Sequence, residues 1–215
     1  PVTPVTPAPS VDKSALEAVI ETCETYVADA YTADSWAALQ EALTAAKAVA
    51  ADPDATQEEV NEALTNLTAA QYALVLRGDL TALTELCEQA VWELEHVKLG
   101  VFPEAIGTGF LRQIEDTKRF LNAGMEILNY TQEEVDAAYE ALLAAWNALK
   151  TYPVNEMYTD VPAGTWYYDA VDFVTRYGFM NGMDAGAFNA AGNVNRAQFV
   201  TILYRIAGEP PVSID

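Results

Sequence analysis

Apolar residues recur at three- and four-residue spacing along most of this chain, and the breaks in that rhythm divide it into short helices. Leu16, Val19 or Ile20, Cys23 and Val27 share one face of a first predicted helix. Trp36, Leu39, Leu43, Ala46 and Val49 share one face of a second. Between them Tyr31-Thr32-Ala33-Asp34-Ser35 supplies the short polar side chains that begin helices. The third helix opens on Thr56-Gln57-Glu58-Glu59-Val60, a capping box with Thr56 at the N-cap and Glu59 three positions on, and Ala55 is placed to staple onto Val60. It continues through Ala63, Leu64, Leu67, Ala70 and Leu74, with Gly78 expected to stop it. Asp52-Pro53-Asp54 is too short for a calcium loop and reads as the turn before the box.

The block then repeats. Leu80, Leu83, Cys87 and Glu88 echo Leu16, Val19, Cys23 and Glu24 at a constant offset of 64 residues. Thr131-Gln132-Glu133-Glu134-Val135 repeats Thr56–Val60 letter for letter, but at an offset of 75. The difference of 11 residues is an insertion between the first and second helices of the second copy, expected around Gly100-Val101-Phe102-Pro103 and Gly107-Thr108-Gly109. In the last helix Tyr139, Leu142, Trp146 and Leu149 take the positions of Leu64, Leu67, Gln71 and Leu74.

A different pattern occupies 158–208. Tyr158-Thr159-Asp160-Val161 and Trp166-Tyr167-Tyr168-Asp169-Ala170-Val171 lead an extended entry into an amphipathic segment that Gly178 ends. A glycine-punctuated connection follows, and a last helix begins at Asn195-Arg196-Ala197-Gln198 and places Phe199, Ile202, Leu203 and Ile206 on one face. Asn195 and Gln198 keep the chemistry of a capping box. At the other end, Pro1-Val2-Thr3-Pro4-Val5-Thr6-Pro7-Ala8-Pro9 favours an extended polyproline II stalk. A chain that opens inside such a linker reads as part of a longer mature protein.

Charge and chemistry narrow the function. With 32 acidic against 11 basic residues, a net −21 in 215 residues, the chain repels nucleic acid and anionic membrane surfaces at long range. No apolar run reaches the roughly 18 to 20 residues of a membrane span. Cys23 and Cys87, the only cysteines, fall at equivalent positions on apolar helix faces and are expected to be buried free thiols, with reactive, metal-bound or bridged forms as alternatives. His96, the only histidine, lies near a helix end, where a dipole contact or a solvent-facing role explains it better than catalysis. Glu58-Glu59 and Glu133-Glu134 are explained by their place in first helical turns rather than as catalytic carboxylates. There is no phosphate loop, no His-Glu-x-x-His, no Gly-x-Ser-x-Gly and no clustered cysteine, so no catalytic residue, metal site or cofactor is expected.

The 158–208 stretch resembles the S-layer homology (SLH) module. The resemblance rests on the aromatic-x-Asp-Val opening at Tyr158, on Trp166, on Ala170-Val171, on Gly178 and Gly182, on Phe188, and on the Asn195-Arg196-Ala197-Gln198 box leading to Leu203-Tyr204-Arg205. The chain departs from the family in having Asn and Gln for Thr and Glu in the box, and Ala190 where a proline is usual. The resemblance implies binding of secondary cell-wall polysaccharide, often acidic, in grooves formed where further SLH modules pack together. Arg196 would then pair with an acid group, Trp166 and Asp160 would shape the sugar site, and Gly182 would let the backbone approach closely. The alternative is that the aromatic residues are core, since one of Tyr167 and Tyr168 must point inward.

The first repeat resembles the FIVAR module of bacterial extracellular proteins. It does so through Tyr31-Thr32-x-x-Ser35-Trp36, Ala42-Leu43 with Ala46-Lys47, and Ala55-Thr56-Gln57-x-x-Val60. The second repeat keeps only the final box. The expectation is therefore an all-α, non-enzymatic chain of a secreted, Gram-positive cell-surface protein. It comprises a Pro/Thr-rich linker at 1–10, a FIVAR three-helix bundle at 11–78, a FIVAR-like bundle with an insertion at 79–152, an SLH module at 153–208 and the start of another linker at 209–215. Competing expectations are accessory modules of a large extracellular carbohydrate-active enzyme, or an adhesin whose bundles bind a host or glycan partner.

Overall fold

The computed structural model describes residues 11–183 and 186–211, in which the regular secondary structure is helical, without a strand. The stalk at 1–10 and the last residues of the expected C-terminal linker, 212–215, lie outside the described residues. The helices are α1 (Ser14–Glu24), α2 (Ala33–Ala51), α3 (Gln57–Tyr72), α4 (Thr81–His96), α5 (Glu104–Ile127), α6 (Gln132–Lys150), the single turn α7 (Val154–Met157), α8 (Tyr168–Arg176) and α9 (Arg196–Ile206). The all-α expectation holds. The chain divides into two compact units. One runs to Asp79 and takes in Asn122–Val135, and the other holds Leu80–Leu121 and the chain from Asp136 onward.

In the first unit the predicted faces meet in one core: Leu16, Ile20 and Cys23 of α1, Leu39, Leu43 and Ala46 of α2, and Val60, Ala63 and Leu67 of α3. Each leucine so buried contributes roughly 1.5 to 3 kcal/mol. Val27 does not join them. It is 64% exposed, because α1 ends at Glu24 and the chain leaves through a 3-10 turn at Ala28–Ala30. The capping box forms in full: the Glu59 N–H donates to the Thr56 hydroxyl (3.3 Å) and the Thr56 N–H donates to Glu59 Oε2 (2.7 Å). The box at Thr131 and Glu134 repeats it at 3.3 and 2.8 Å.

Gly78 is not the stop of α3. The helix ends at Tyr72, and Leu74 has already left it for an extended segment in which Leu76 bridges Tyr31. Gly78 serves a close approach instead, since a Cβ there would lie 2.7 Å from Val135 Cγ2 and 2.8 Å from the Thr131 carbonyl oxygen. The insertion also differs from expectation. The residues joining α4 to α5 make only a short 3-10 turn at Leu99–Val101, and Gly107 and Gly109 lie within α5. The extra length is taken up by the helices, 16 residues in α4 against 11 in α1 and 24 in α5 against 19 in α2. A longer helix satisfies its added backbone groups internally, whereas a longer loop would leave them to solvent.

In the second unit Leu83 and Cys87 of α4, Phe110 and Ile114 of α5, and Leu142 and Leu149 of α6 are buried, and Phe110 stacks on Trp146 at 6.4 Å. Cys23 and Cys87 are free buried thiols, and burial pushes the ionisation of both upward. After α6 a smaller core gathers Val154, Tyr158, Val161 and Val171, with Tyr167, Tyr168 and Phe188 packed against it. Helix α9 has the amphipathic stripe that its spacing predicts but buries none of it. Phe199, Leu203 and Ile206 are 57, 49 and 57% exposed, and only Ile202 is half-buried.

Candidate functional site

The loop between α8 and α9 is built on Asp160. Its carboxylate accepts the backbone N–H groups of Phe188 (2.8 Å) and Asn189 (2.7 Å). Those two bonds, Phe188 first, hold the carboxyl below its ordinary range. The same loop is pinned by Met183 N–H to Ala187 O (2.7 Å) and Thr159 N–H to Gly186 O (2.9 Å). Gly182 lies under it with φ +68°, and a Cβ there would stand 2.5 Å from Tyr158 Cε1 and 2.9 Å from the Ala187 carbonyl oxygen. The close approach that Gly182 permits is thus to the Tyr158 ring, itself 5.4 Å from Phe188.

Asp160 and Gly182 therefore come together around one loop. Trp166 and Arg196 stand apart from them. Trp166 is 93% exposed and touches Tyr167 edge-on at 5.5 Å. Both neighbouring tyrosines turn inward, with the Tyr168 hydroxyl donating to Asn155 (3.0 Å). Arg196 is the first residue of α9, exposed, behind a complete capping box of Asn195 and Gln198 (2.9 Å each way). Among the described residues its side chain has no hydrogen bond or ion pair. A cleft of about 370 Å³ separates this loop from α9, with the amide side chains of Asn181, Asn189 and Gln198 and the guanidinium of Arg205 on its walls.

Acid should test the Asp160 clamp. A carboxyl whose folded ionisation is lowered stabilises the fold above its ordinary range, near 3.9, and that contribution is lost as pH falls through the lowered folded value. The amides of Phe188 and Asn189 are expected to exchange slowly at neutral pH in the wild type and fast in Asp160→Ala, with the two converging in acid. Hydrogen exchange by NMR across pH reads this, and equal protection at neutral pH would refute the clamp.

Sequence reasoning missed Arg176. Its guanidinium donates to the carbonyls of Leu149 (2.7 Å) and Tyr152, pairs with Asp172 (2.5 Å) and lies over the Phe102 ring at 5.4 Å, while its own carbonyl accepts the Lys98 N–H (2.7 Å). Nearby, the Tyr177 hydroxyl donates to Glu93 (3.3 Å), and burial, reinforced by Glu93, pushes that phenol upward. An i,i+4 Asp-x-x-x-Arg pair was visible in the sequence, but nothing in it indicated that the arginine reaches α6. His96 closes α4, its ring stacked on Trp92 at 4.1 Å and its Nδ1 2.6 Å from the Trp92 carbonyl oxygen. No group of metal-ligating side chains occurs among the described residues, and no helix there is long and apolar enough to cross a membrane.

Set beside known proteins, residues 12–75 match the FIVAR domain and residues 158–200 match the S-layer homology domain. The chain thus carries a FIVAR domain followed by an SLH domain, an arrangement that fits a cell-surface protein with a wall-anchoring module. It is similar to the zinc metalloprotease ZmpB of Streptococcus pneumoniae serotype 4, 32% identical over 147 residues. That similarity covers 62% of this chain but only 7% of the relative's length. No solved structure matches.

Proposed function

We propose that this chain is a non-catalytic spacer and anchoring segment of a secreted surface protein, in which the SLH domain binds secondary cell-wall polysaccharide without a covalent bond. The observation that carries the reading is the pairing of the SLH match with two exposed side chains, Trp166 and Arg196, that have little or no internal work. An aromatic face suits a sugar ring, and a guanidinium suits the acid group of an anionic polymer. Asp160 and Gly182 contribute by holding the loop between α8 and α9. The FIVAR bundle at 11–78 and a FIVAR-like bundle at 79–152 act as spacers, with the anchoring module at 153–208. Further SLH modules are the partners that suit the uncovered apolar side of α9.

The similarity to a fragment of a much longer metalloprotease favours a second reading, in which these modules are accessory parts of a large extracellular enzyme. Sedimentation with purified cell walls, before and after extraction of the polysaccharide, tests the first. In a chain extended to a full set of SLH modules, Arg196→Ala should weaken binding by about 1.5 to 3 kcal/mol, the loss of a charged hydrogen-bond partner. The chain as it stands, with one module, should bind weakly. Tight binding by this chain alone, unaffected by Arg196→Ala, would move recognition to the bundles and sink the anchoring reading.

A further inference from the structure

The Tyr31-Thr32-x-x-Ser35-Trp36 element of the FIVAR domain does not cap α2 in the ordinary way. The Thr32 hydroxyl faces the Ser35 hydroxyl (2.9 Å) and accepts no backbone N–H of α2. The element fastens to the segment after α3 instead: Thr32 N–H to Val75 O (2.9 Å), Val75 N–H to Ser35 Oγ (3.2 Å), Arg77 N–H to Ala30 O (3.0 Å), with Tyr31 stacked on Trp36 at 6.1 Å. That leaves a backbone donor at the start of α2, which a helix end must satisfy from elsewhere, and another at Gly78 in the segment between α3 and α4.

They are satisfied by the turn between α5 and α6, which belongs to the same compact unit. The Ala33 N–H donates to Leu128 O (3.0 Å), the Gly78 N–H to Tyr130 O (3.1 Å) and the Asp79 N–H to Gln132 Oε1 (2.9 Å), and Asn129 Nδ2 donates to Asp34 (2.7 Å). Gly78 has no room for a side chain against Thr131 and Val135. Leu128 holds φ +55°, a left-handed backbone that strains a non-glycine residue, and its carbonyl is the acceptor for α2.

We propose that the Tyr31–Trp36 element together with Val75–Asp79 is a docking surface whose occupant is the Leu128–Gln132 turn of this chain, so that the first FIVAR domain is completed by a segment from the repeat that follows it. The unit that folds is then larger than the stretch 12–75 that the family pattern covers. The second repeat, which lacks the element, is finished differently: the end of its last helix receives Arg176 from the SLH domain. The element thus marks a repeat that another repeat follows.

The two buried cysteines make the test possible in the intact chain, because Cys23 lies in the core of the first bundle and Cys87 in α4. Each labels with an alkylating reagent only when its surroundings open. Gly78→Ala, which crowds the docked turn, and Asn129→Ala, which only shortens a side chain at the turn, are compared with wild type by peptide mass after native-state labelling, alongside amide exchange at Ala33. The expected result is faster labelling of Cys23 in both variants, about tenfold in Gly78→Ala, with loss of protection at Ala33. Unchanged Cys23 rates in both variants overturn the proposal. So does acceleration in Gly78→Ala alone with Ala33 still protected, which would be strain at the glycine and not loss of docking.

Discussion

Replacing Arg176 by alanine is expected to cost about 3 kcal/mol of stability in the second unit, the figure typical of removing one partner from a largely buried charged pair. The side chain is 12% exposed and serves three acceptors at once. Two are the carbonyls of Leu149 and Tyr152, at and just beyond the end of α6, where the last helical carbonyls lack intrahelical partners. The third is Asp172, 27% exposed, which would be left without its cation. The Phe102 ring would also lose the guanidinium above it. Urea unfolding of Arg176→Ala measures the loss. Arg176→Lys should recover only part of it, since an ammonium cannot span three acceptors in the plane of a guanidinium. A change within about 0.5 kcal/mol, the range of an ordinary surface substitution, would show that the arginine decorates the junction and does not hold it.

Gly182→Ala is expected to be nearly as costly, about 3 kcal/mol, for two separable reasons. At φ +68° an L residue pays roughly 1 to 2 kcal/mol for the left-handed backbone. The added Cβ then meets Tyr158 Cε1 at 2.5 Å and a main-chain oxygen at 2.9 Å, and overpacking of that kind typically adds about 1 to 3 kcal/mol. Tyr158 cannot step aside, because it is 7% exposed inside the small core with Val154, Val161 and Val171. The SLH domain should therefore lose its fixed aromatic environment, read by near-UV circular dichroism, whether or not a sugar is present. If Gly182→Ala keeps full stability and loses only polysaccharide binding, the glycine serves the ligand and not the Tyr158 ring.

The two substitutions mark how far the candidate site was legible. Gly182 was marked out by its family pattern, and the reason first attached to it was approach to a sugar; the positive φ and the Tyr158 contact are tertiary facts. Asp160 was likewise chosen from its motif, but its two hydrogen bonds run to residues 28 and 29 positions away. Arg176 showed only its i,i+4 spacing from Asp172, since its carbonyl partners lie 24 and 27 positions back along the chain.

Local sequence determined the helices and the starts of α3, α6 and α9. The capping boxes at Thr56, Thr131 and Asn195 form between residues three apart, so composition and spacing alone decide them. The buried faces of α1, α2 and α3 follow from the 3.6-residue period for the same reason. What the period could not decide was where a helix stops and what its ends touch. Gly78 looked like a helix stop until its contacts with Thr131 and Val135 gave it another role, and the 11-residue insertion proved to be helix. Val27 lost its place in the core when α1 ended one turn early, and α9 kept its apolar stripe without burying it. Helix ends carry unsatisfied backbone groups, and a chain can satisfy them with neighbouring side chains or with groups far along the sequence. The first choice is written in the local residues; the second, used here by Leu128 for α2 and by Arg176 for α6, exists only once the chain has folded.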